Sequence, residues 1–184
     1  MTKTNKVGFV AGLVGPAIIK VAEGYKLGVQ AVNPNCDVYT AYTGSTEDVQ
    51  KSKEAAQAMI DKGVDLIGGG GNASNAGMIK ACEEAGVYAF GELEQQNLAP
   101  ETVIFCNMNN IENLVLQAVK DTIDGDFQGC IREYGIAADV AQLTEYNSHV
   151  PQEVKDKLAE CMDQMRSGEL DIPMITEISD DIIH

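Results

Sequence analysis

The sequence lacks the features that mark membrane proteins, metal sites and redox proteins. No apolar run reaches the length of a membrane span, and the first residues, Met1 to Lys6, hold no apolar signal region. The chain as given is therefore expected to stay in the cytoplasm. Its five cysteines are scattered without a C-x-x-C pair, which argues against a zinc or redox site and predicts free thiols. We expect no metal and no cofactor.

Positive charge and histidine are also scarce. The chain carries 13 lysine and arginine residues against 28 aspartate and glutamate residues, a formal net charge of −15 at pH 7. Such a charge repels phosphate backbones and anionic lipids, so we exclude nucleic acid as a partner. The two histidines, His149 and His184, lie near no candidate nucleophile. A hydrolase that uses Glu92 and Glu94 as paired carboxylates is the catalytic alternative, but we predict a protein that is not an enzyme.

What the sequence does contain is a regular alternation of short strands and longer helices. The predicted strands are short apolar or β-branched runs, at Val7–Ala11, Asp37–Tyr42, Val64–Ile67, Val87–Phe90 and Val103–Cys106. The predicted helices repeat apolar residues every three or four positions, from Pro16 onward and over Glu47–Lys62, Ser74–Ala85 and Ile111–Ile123. This alternation is typical of right-handed βαβ units. It predicts the α/β class, with a doubly wound parallel sheet covered on both faces.

The C-terminal part of the chain is less regular. We predict a strand over Tyr134–Val140, a loop over Gln142–Val150 and a helix over Pro151–Ser167, which has proline in its first turn. We divide the chain into an α/β ligand-binding lobe over residues 1–125 and a C-terminal extension over residues 126–184. The strand and helix of the extension are expected to pack on the lobe.

The candidate site lies in the loops that follow the strands, because ligands of such sheets bind outside the carboxyl ends of the strands. Gly71 and Asn72 end a glycine tract before a helix, where backbone N–H groups can approach a ligand oxygen. A tight strand-to-helix crossover is the alternative there. Glu92 follows the fourth strand as an acceptor for hydroxyl groups, unless its loop is only a solvated acidic loop. Asn109 follows the fifth strand as a neutral polar group, although asparagine is also common as a helix cap.

Several short segments, taken in their order and spacing, resemble one known family. They are KVGFV at 6–10, EGYKLGV at 23–29, VNP at 32–34, YTGS at 42–45, GVYA at 86–89, ELEQ at 92–95, LAP at 98–100, AVK at 118–120 with DG at 124–125, and SGELDIP at 167–173. Together they resemble the basic membrane protein family, the purine-nucleoside-receptor type of substrate-binding lipoprotein of ABC transporters. The resemblance extends over nearly the whole chain, and it matches the C-terminal half of the family.

This resemblance implies one lobe of a type I periplasmic-binding-protein-like fold, in which a ligand is closed between two lobes. The first lobe, the signal peptide and the lipid-anchoring cysteine would then lie outside this sequence. A full-length protein would be extracytoplasmic and membrane-anchored, with an ABC permease as partner. The helix Ile111–Ile123 corresponds to one that packs on the first lobe in the family. Without that lobe its apolar stripe lacks a partner, so we expect the isolated chain to form a homodimer.

The resemblance also assigns roles to single residues. Thr46 stands where nucleoside-binding relatives have an aromatic residue that stacks on the base, so we expect weak purine binding. Glu92 resembles the acid that grips ribose in the family. Asn109 takes the position of a family lysine near the ligand, which disfavours an anionic group there. The predicted ligand-binding set is therefore Thr46, Gly71, Asn72, Glu92 and Asn109, with no catalytic residue.

Three hypotheses for the function follow. The first is the substrate-binding domain of an ABC uptake transporter, which binds a nucleoside-like or sugar-like molecule without chemistry. The second is a stand-alone cytoplasmic half-receptor that acts as a homodimeric sensor or interaction module. The third is a truncated gene product without activity of its own. The sequence does not choose among the three.

Overall fold

A computed structural model describes residues 1–178 of the chain. Strands and helices alternate along most of this range. The elements are β1 Lys6–Ala11, α1 Pro16–Val32, β2 Asp37–Tyr42, α2 Val49–Asp61, β3 Leu66–Gly70, α3 Asn75–Ala85, β4 Tyr88–Glu92, β5 Val103–Asn109, α4 Ile111–Ile123, β6 Ala141–Leu143 and α5 Gln152–Ser167. Short 3₁₀ helices lie at Asn72–Ser74, Gln95–Leu98 and Ile136–Ala138. No helix within this range is long and apolar enough to cross a membrane.

The strands form one mixed sheet in the order β2-β1-β3-β4-β5-β6. Neighbouring strands from β2 to β5 pair in parallel. The short strand β6 pairs antiparallel with β5 at the edge of the sheet. The predicted α/β class is confirmed, and the antiparallel edge strand is an addition that the sequence did not predict.

Helices cover both faces of the sheet, as neighbouring residues of β1 show. Phe9 and Val10 are each 1% exposed, and successive side chains of a strand point to opposite faces. Val10 belongs to the larger core cluster, with Met59 of α2 and Met78 of α3. Phe9 packs on the other face, where its ring centroid lies 5.4 Å from that of Tyr25 of α1. The sheet is therefore buried between α1 on one side and the α2–α3 pair on the other.

The glycine tract forms part of β3 and is needed there for packing. A Cβ atom at Gly68 would overlap the ring of Phe90. A Cβ atom at Gly70 would lie 3.0 Å from the ring of Phe9. Two aromatic side chains on the α1 face thus occupy the space that glycine leaves open. Gly68 and Gly70 are thus strand residues that make room for these rings. The sequence predicted neither a position within the strand nor this packing role for them, since it offered only a ligand-facing loop or a strand-to-helix crossover.

The prediction for the segment before the last helix was wrong. Tyr134–Val140 is not a strand, because it turns back on itself: the N–H of Val140 donates to the carbonyl of Gly135 at 3.1 Å, and Asp139 has a φ of 51°. The strand β6, Ala141–Leu143, instead overlaps the start of the segment Gln142–Val150 that was predicted as a loop. The helix α5 is confirmed. The division of the chain at residue 125 stays a prediction.

Helix α4 packs little against the sheet. It contains no buried residue, and Val115 and Val119 are 54% and 46% exposed. Its N-terminus is capped by Asn110, whose side chain accepts a hydrogen bond from the N–H of Asn113 at 3.1 Å. The cap is thus the residue that follows Asn109, and the apolar surface of α4 is left open to solvent.

Candidate functional site

The loops that follow β1 and β3 lie side by side at the carboxyl edge of the sheet. Ala11 and Gly70, the last residues of the two strands, are paired in register. One residue further, the N–H of Gly12 donates to the carbonyl of Gly70 at 3.3 Å. Because β4 runs parallel to β3 on its other side, the loop after β4 reaches the same edge. This is the edge at which α/β sheets bind ligands.

Glu92 and Asn72, which the sequence selected from two different loops, are in contact at this edge. The backbone N–H of Asn72 donates to Oε2 of Glu92 at 3.1 Å. Gln95 closes the contact from the other side, since its Nε2 donates to the carbonyl of Asn72 at 2.8 Å. Burial raises the pKa of the Glu92 carboxyl, against the opposing effect of hydrogen bonds from Asn72 and Asn75. The structure therefore places a half-buried carboxylate beside the end of the glycine tract.

Asn75, the first residue of α3, is the centre of this arrangement and was missed from the sequence. It is fully buried. Its Oδ1 accepts the N–H of Gly71 at 2.9 Å, and its Nδ2 donates to Glu92 Oε2 and to Gln95 Oε1, each at 3.1 Å. Gln95 was also missed as a site residue. Gly71 and Asn75 lie four positions apart at the start of a helix, and an amide both donates and accepts, so this spacing was a usable signal.

Gly71 shapes the loop at the start of the 3₁₀ turn. A Cβ atom here would lie 2.5 Å from Ser74 Oγ and 3.0 Å from Asn75 Oδ1. Its N–H is already donated to Asn75, and that of Asn72 is donated to Glu92. These backbone groups are thus engaged within the protein, and a direct contact of Gly71 with a ligand stays a prediction.

Thr46 lies at the same edge, beside the loop after β1. Its Cγ2 would lie 2.8 Å from a Cβ atom at Gly12. Its backbone oxygen accepts the N–H of Ser74 at 3.0 Å, which ties the loop after β2 to the loop after β3. Thr46 is therefore brought towards Gly71 and Asn72 through Ser74, while its role as a ligand contact stays a prediction.

Asn109 lies apart from this cluster. It ends β5, is exposed, and pairs with Ala141 of β6. It lines a groove of about 210 Å³ between the sheet edge and α5, which contributes Cys161, Met162 and Met165. In the described part of the chain no hydrogen bond joins Asn109 to Glu92. The structure thus brings together four of the five predicted residues and leaves Asn109 in a separate groove.

Residues 1–178 offer no group of three or more histidine, cysteine, aspartate or glutamate side chains placed to hold a metal ion. The five cysteines are unpaired: Cys36, Cys82 and Cys106 are buried, Cys161 is half-buried and Cys130 is exposed. The groups gathered at the edge are a carboxylate, amides and backbone groups. Such groups can bind a polar molecule through hydrogen bonds.

A sequence profile of the family described as ABC transporter substrate-binding protein PnrA-like matches residues 1–176. The chain belongs to this family. Its members are substrate-binding proteins rather than enzymes, and the resemblance to the basic membrane proteins is confirmed.

Three relatives illustrate the range of the family. A CD4+ T-cell-stimulating antigen of Listeria monocytogenes is 30% identical over 94% of this chain and 53% of its own length. A purine-binding protein of Brucella abortus is 26% identical over 92% of this chain and 48% of its own length. A putative ABC transporter glucose-binding protein of Haloferax volcanii is 25% identical over 94% and 44%, respectively. The chain thus spans about half the length of these relatives.

Solved structures show the same fold. A transcriptional activator of the comK gene from Bacillus halodurans superposes with a TM-score of 0.82 at 23% identity, covering 92% of this chain and 59% of that protein. A solute-binding protein of an ABC transporter system from Conexibacter woesei superposes with a TM-score of 0.78 at 22% identity, covering 94% and 58%. The predicted periplasmic-binding-protein-like fold is therefore confirmed.

Proposed function

We propose that the protein binds a neutral molecule bearing hydroxyl groups at the edge formed by Glu92 and Asn72, as part of an ABC uptake system and without chemistry. The observation that carries this proposal is the hydrogen bonding of the Glu92 carboxylate. It is half-buried, its Oε2 accepts two hydrogen bonds, and among the described residues its Oε1 accepts none. A carboxylate oxygen that no protein group engages can accept hydrogen bonds from a ligand, and this favours a ligand that donates them.

The names of the relatives support a small polar solute. One relative is named for purine and one for glucose, and glucose is a polyol. Thr46 offers no aromatic ring for stacking a base, so we place the hydroxyl-bearing part of the ligand, rather than a base, at this edge. An ABC permease is the proposed partner, with the protein acting outside the cytoplasm.

Binding by this chain alone is expected to be weak. The chain covers about half of its relatives' length, and in the proposed mode the remaining ligand contacts come from a second lobe. A dissociation constant in the millimolar range, about −4 kcal/mol, is the expected affinity.

A panel of small molecules tests the proposal. The isotope-labelled chain is titrated with D-glucose, D-ribose, adenosine and adenine, while the backbone amide signals of Asn72, Asn75 and Leu93 are followed by NMR. The three hydroxyl-bearing molecules should shift these signals at millimolar concentration, and adenine, which has no hydroxyl group, should not. A response to adenine equal to that for adenosine would contradict the proposed ligand class.

The second proposal is a homodimer formed through α4. It corresponds to the hypothesis that the chain acts as a stand-alone half-receptor. The observation that favours it is the open apolar surface of α4: Val115, Leu116 and Val119 are 54%, 47% and 46% exposed. The neighbouring side chains Phe127 and Ile131 are 62% and 96% exposed. A two-fold contact between two copies would cover each patch with its equivalent.

A further inference from the structure

We propose that Asn75 and Gln95 are positioning residues, which hold Glu92 so that it presents one oxygen, Oε1, to a pair of hydroxyl donors on the ligand. This inference rests on the proposed function and deepens it. It assigns the orientation of the binding carboxylate to two amides, of which Asn75 is buried and Gln95 is half-buried. Neither amide needs to touch the ligand.

The orientation of Asn75 is fixed by three partners. Its Oδ1 accepts the N–H of Gly71 at 2.9 Å, and its Nδ2 donates at 3.1 Å to both Glu92 Oε2 and Gln95 Oε1. Exchanging the amide oxygen and nitrogen would place two donors opposite each other at Gly71 and two acceptors opposite each other at Glu92. Because the residue is fully buried, water cannot replace these hydrogen bonds. The amide therefore has one stable orientation.

Gln95 completes a closed ring of hydrogen bonds around Glu92. Its Oε1 accepts the backbone N–H of Glu92 at 2.9 Å, and its Nε2 donates to the carbonyl of Asn72 at 2.8 Å. The N–H of Asn72 returns to Glu92 Oε2 at 3.1 Å. Both the backbone and the carboxylate of Glu92 are thus held from the side of the protein.

The ring leaves Glu92 with a single oxygen for the ligand. Oε2 accepts hydrogen bonds from Asn72 and Asn75, and a carboxylate oxygen has about two favourable acceptor directions. Oε1 retains both of its own. Two hydroxyl groups on neighbouring ligand atoms can donate to one oxygen together, whereas an anionic group would be repelled by the carboxylate. The arrangement therefore fits a ligand with two neighbouring hydroxyl groups and disfavours an anionic one.

The same ring presents the side chain of Asn72. This residue has a φ of 52°, which non-glycine residues rarely adopt. Its N–H and its carbonyl are both engaged, with Glu92 and Gln95. Its side-chain amide is exposed and forms no hydrogen bond within residues 1–178. Because hydrogen bonds hold both the N–H and the carbonyl of Asn72, its backbone can keep this positive φ. The unbonded side-chain amide of Asn72 then lies beside the contact between its backbone and Glu92.

Titration of the Glu92 carboxyl tests the contact between Asn75 and Glu92 on which the positioning role depends, without any ligand. The other titratable groups close to it are Cys106 of β5, whose thiol pKa is raised by burial and further by the charge of Glu92, and the exposed Glu94 in the same loop. Asn75→Asp keeps the acceptor for Gly71 but places a second carboxyl group next to Glu92. Asn97→Asp is the matched control, because Asn97 is exposed in the same loop and forms no side-chain hydrogen bond in the described chain.

The pH dependence of the Glu92 side-chain carbon signal is recorded by NMR for the three proteins. Asn75→Asp should move the midpoint upward by about one pH unit or more, since two adjacent carboxyl groups titrate as a coupled pair. Asn97→Asp should move it much less. Equal midpoints in all three folded proteins would overturn the proposal.

Gln95→Met provides a second test, because it keeps the volume of the side chain and removes its hydrogen bonds. The variant should bind D-ribose at least about 5-fold more weakly although Glu92 is intact. Unchanged affinity for D-ribose would overturn the positioning role of Gln95. If the chain binds no member of the panel while Asn75→Asp still shifts the Glu92 midpoint, the proposed function fails and only the contact between Asn75 and Glu92 stands. If D-ribose binds equally well to the wild-type chain and to Gln95→Met, the positioning role of Gln95 fails and the proposed function stands.

Discussion

The backbone N–H of Asn72 donates to Oε2 of Glu92 at 3.1 Å, which joins the loop after β3 to the last residue of β4. The two residues are 20 positions apart in sequence. They meet because β3 and β4 are parallel neighbours whose carboxyl ends lie at the same edge of the sheet. The parallel pairing of the strands therefore creates the candidate site. For this reason, the predictions for variants that disturb the packing beneath the site are separate from those for variants of the site itself.

Substitution of Gly77 in α3 tests the close packing of α2 and α3 against each other. A Cβ atom at this position would overlap the carbonyl oxygen of Val49 in α2 and lie 2.9 Å from the N atom of Lys53. We expect Gly77→Ala to lower the free energy of unfolding by about 1–3 kcal/mol, because backbone atoms must move apart. Urea unfolding followed by circular dichroism measures the change.

Gly24 supplies the matched control for Gly77. It also lies within a helix, α1, but nothing is within 4 Å of its would-be Cβ atom. Gly24→Ala should therefore raise the free energy of unfolding by about 0.5–1 kcal/mol, because alanine favours helix more than glycine does. A similar loss in both variants would contradict the close approach of α2 and α3.

The α/β alternation could be predicted because local patterns decide it. The strands β1 and β2 and the helices α3, α4 and α5 begin and end within about two residues of the predicted bounds, as expected where an apolar period coincides with glycine, proline or a cap. The segment before α5 could not be predicted in the same way. The strand β6 has only three residues, and it exists because the open edge of β5 is available for pairing, which is a tertiary cause.

The sequence predicted where the candidate site lies, but it did not predict which residues form hydrogen bonds with each other there. Glu92 and Asn72 follow strands, so the sheet rule places them at the ligand edge. Asn75 lies in one of the loops that the sheet rule selects but was not chosen as a site residue, and the structure shows its amide between Gly71 and Glu92. Asn109 was placed by the same rule as Glu92, but the extra length of β5 and its pairing with β6 carry it into the groove beside α5.

Asp65 is expected to contribute to the loss of stability of the folded protein in acid. It accepts hydrogen bonds from Thr2 Oγ1 at 2.6 Å, from the N–H of Lys3 at 2.6 Å and from the N–H of Thr4 at 3.1 Å. Burial acts to raise the pKa of Asp65, but these donors outweigh burial and the net pKa is lowered. Stability from a lowered folded-state pKa is present above the unfolded-state pKa and is lost as the pH falls through the folded-state value.

Asp65→Asn should therefore remove part of the acid dependence. The free energy of unfolding of the wild-type protein is expected to fall more steeply below about pH 4 than that of the variant. Urea unfolding between about pH 2.5 and pH 6 provides both curves. Parallel curves for the two proteins would show that the hydrogen bonds of Asp65 do not contribute.

The proposed homodimer predicts a mass that depends on α4. Light scattering at tens of micromolar should give about twice the monomer mass for the wild-type chain, and Val115→Glu should give the monomer. Val115 is a better position than Leu114, which lines a groove with residues 127–132 and would affect packing within the chain. Val32→Glu is the control, because Val32 is 81% exposed at the end of α1. A monomeric wild-type protein would contradict the homodimer.

The cysteines should differ sharply in reactivity. Burial raises the pKa of the Cys82 thiol to about 12, whereas Cys130 is exposed. Because the thiolate is the reactive form, an aromatic disulfide reagent should modify Cys130 rapidly in the folded protein and Cys82 only after denaturation. Cys130→Ser should remove the fastest phase and leave the slower reaction of half-buried Cys161. A rapid phase that survives in this variant and maps to Cys82 would contradict the buried position of α3.

Calorimetric titration with D-ribose of the wild-type chain, Glu92→Gln and Glu94→Gln is the most direct test of the central claim. Glutamine keeps the shape of the side chain and loses the carboxylate, and exposed Glu94 offers the same change in the same loop. We predict millimolar binding by the wild-type chain, a loss of about 1–3 kcal/mol in Glu92→Gln and no change in Glu94→Gln. Equal affinity in all three proteins, or micromolar binding of adenosine by this chain alone, would contradict the account.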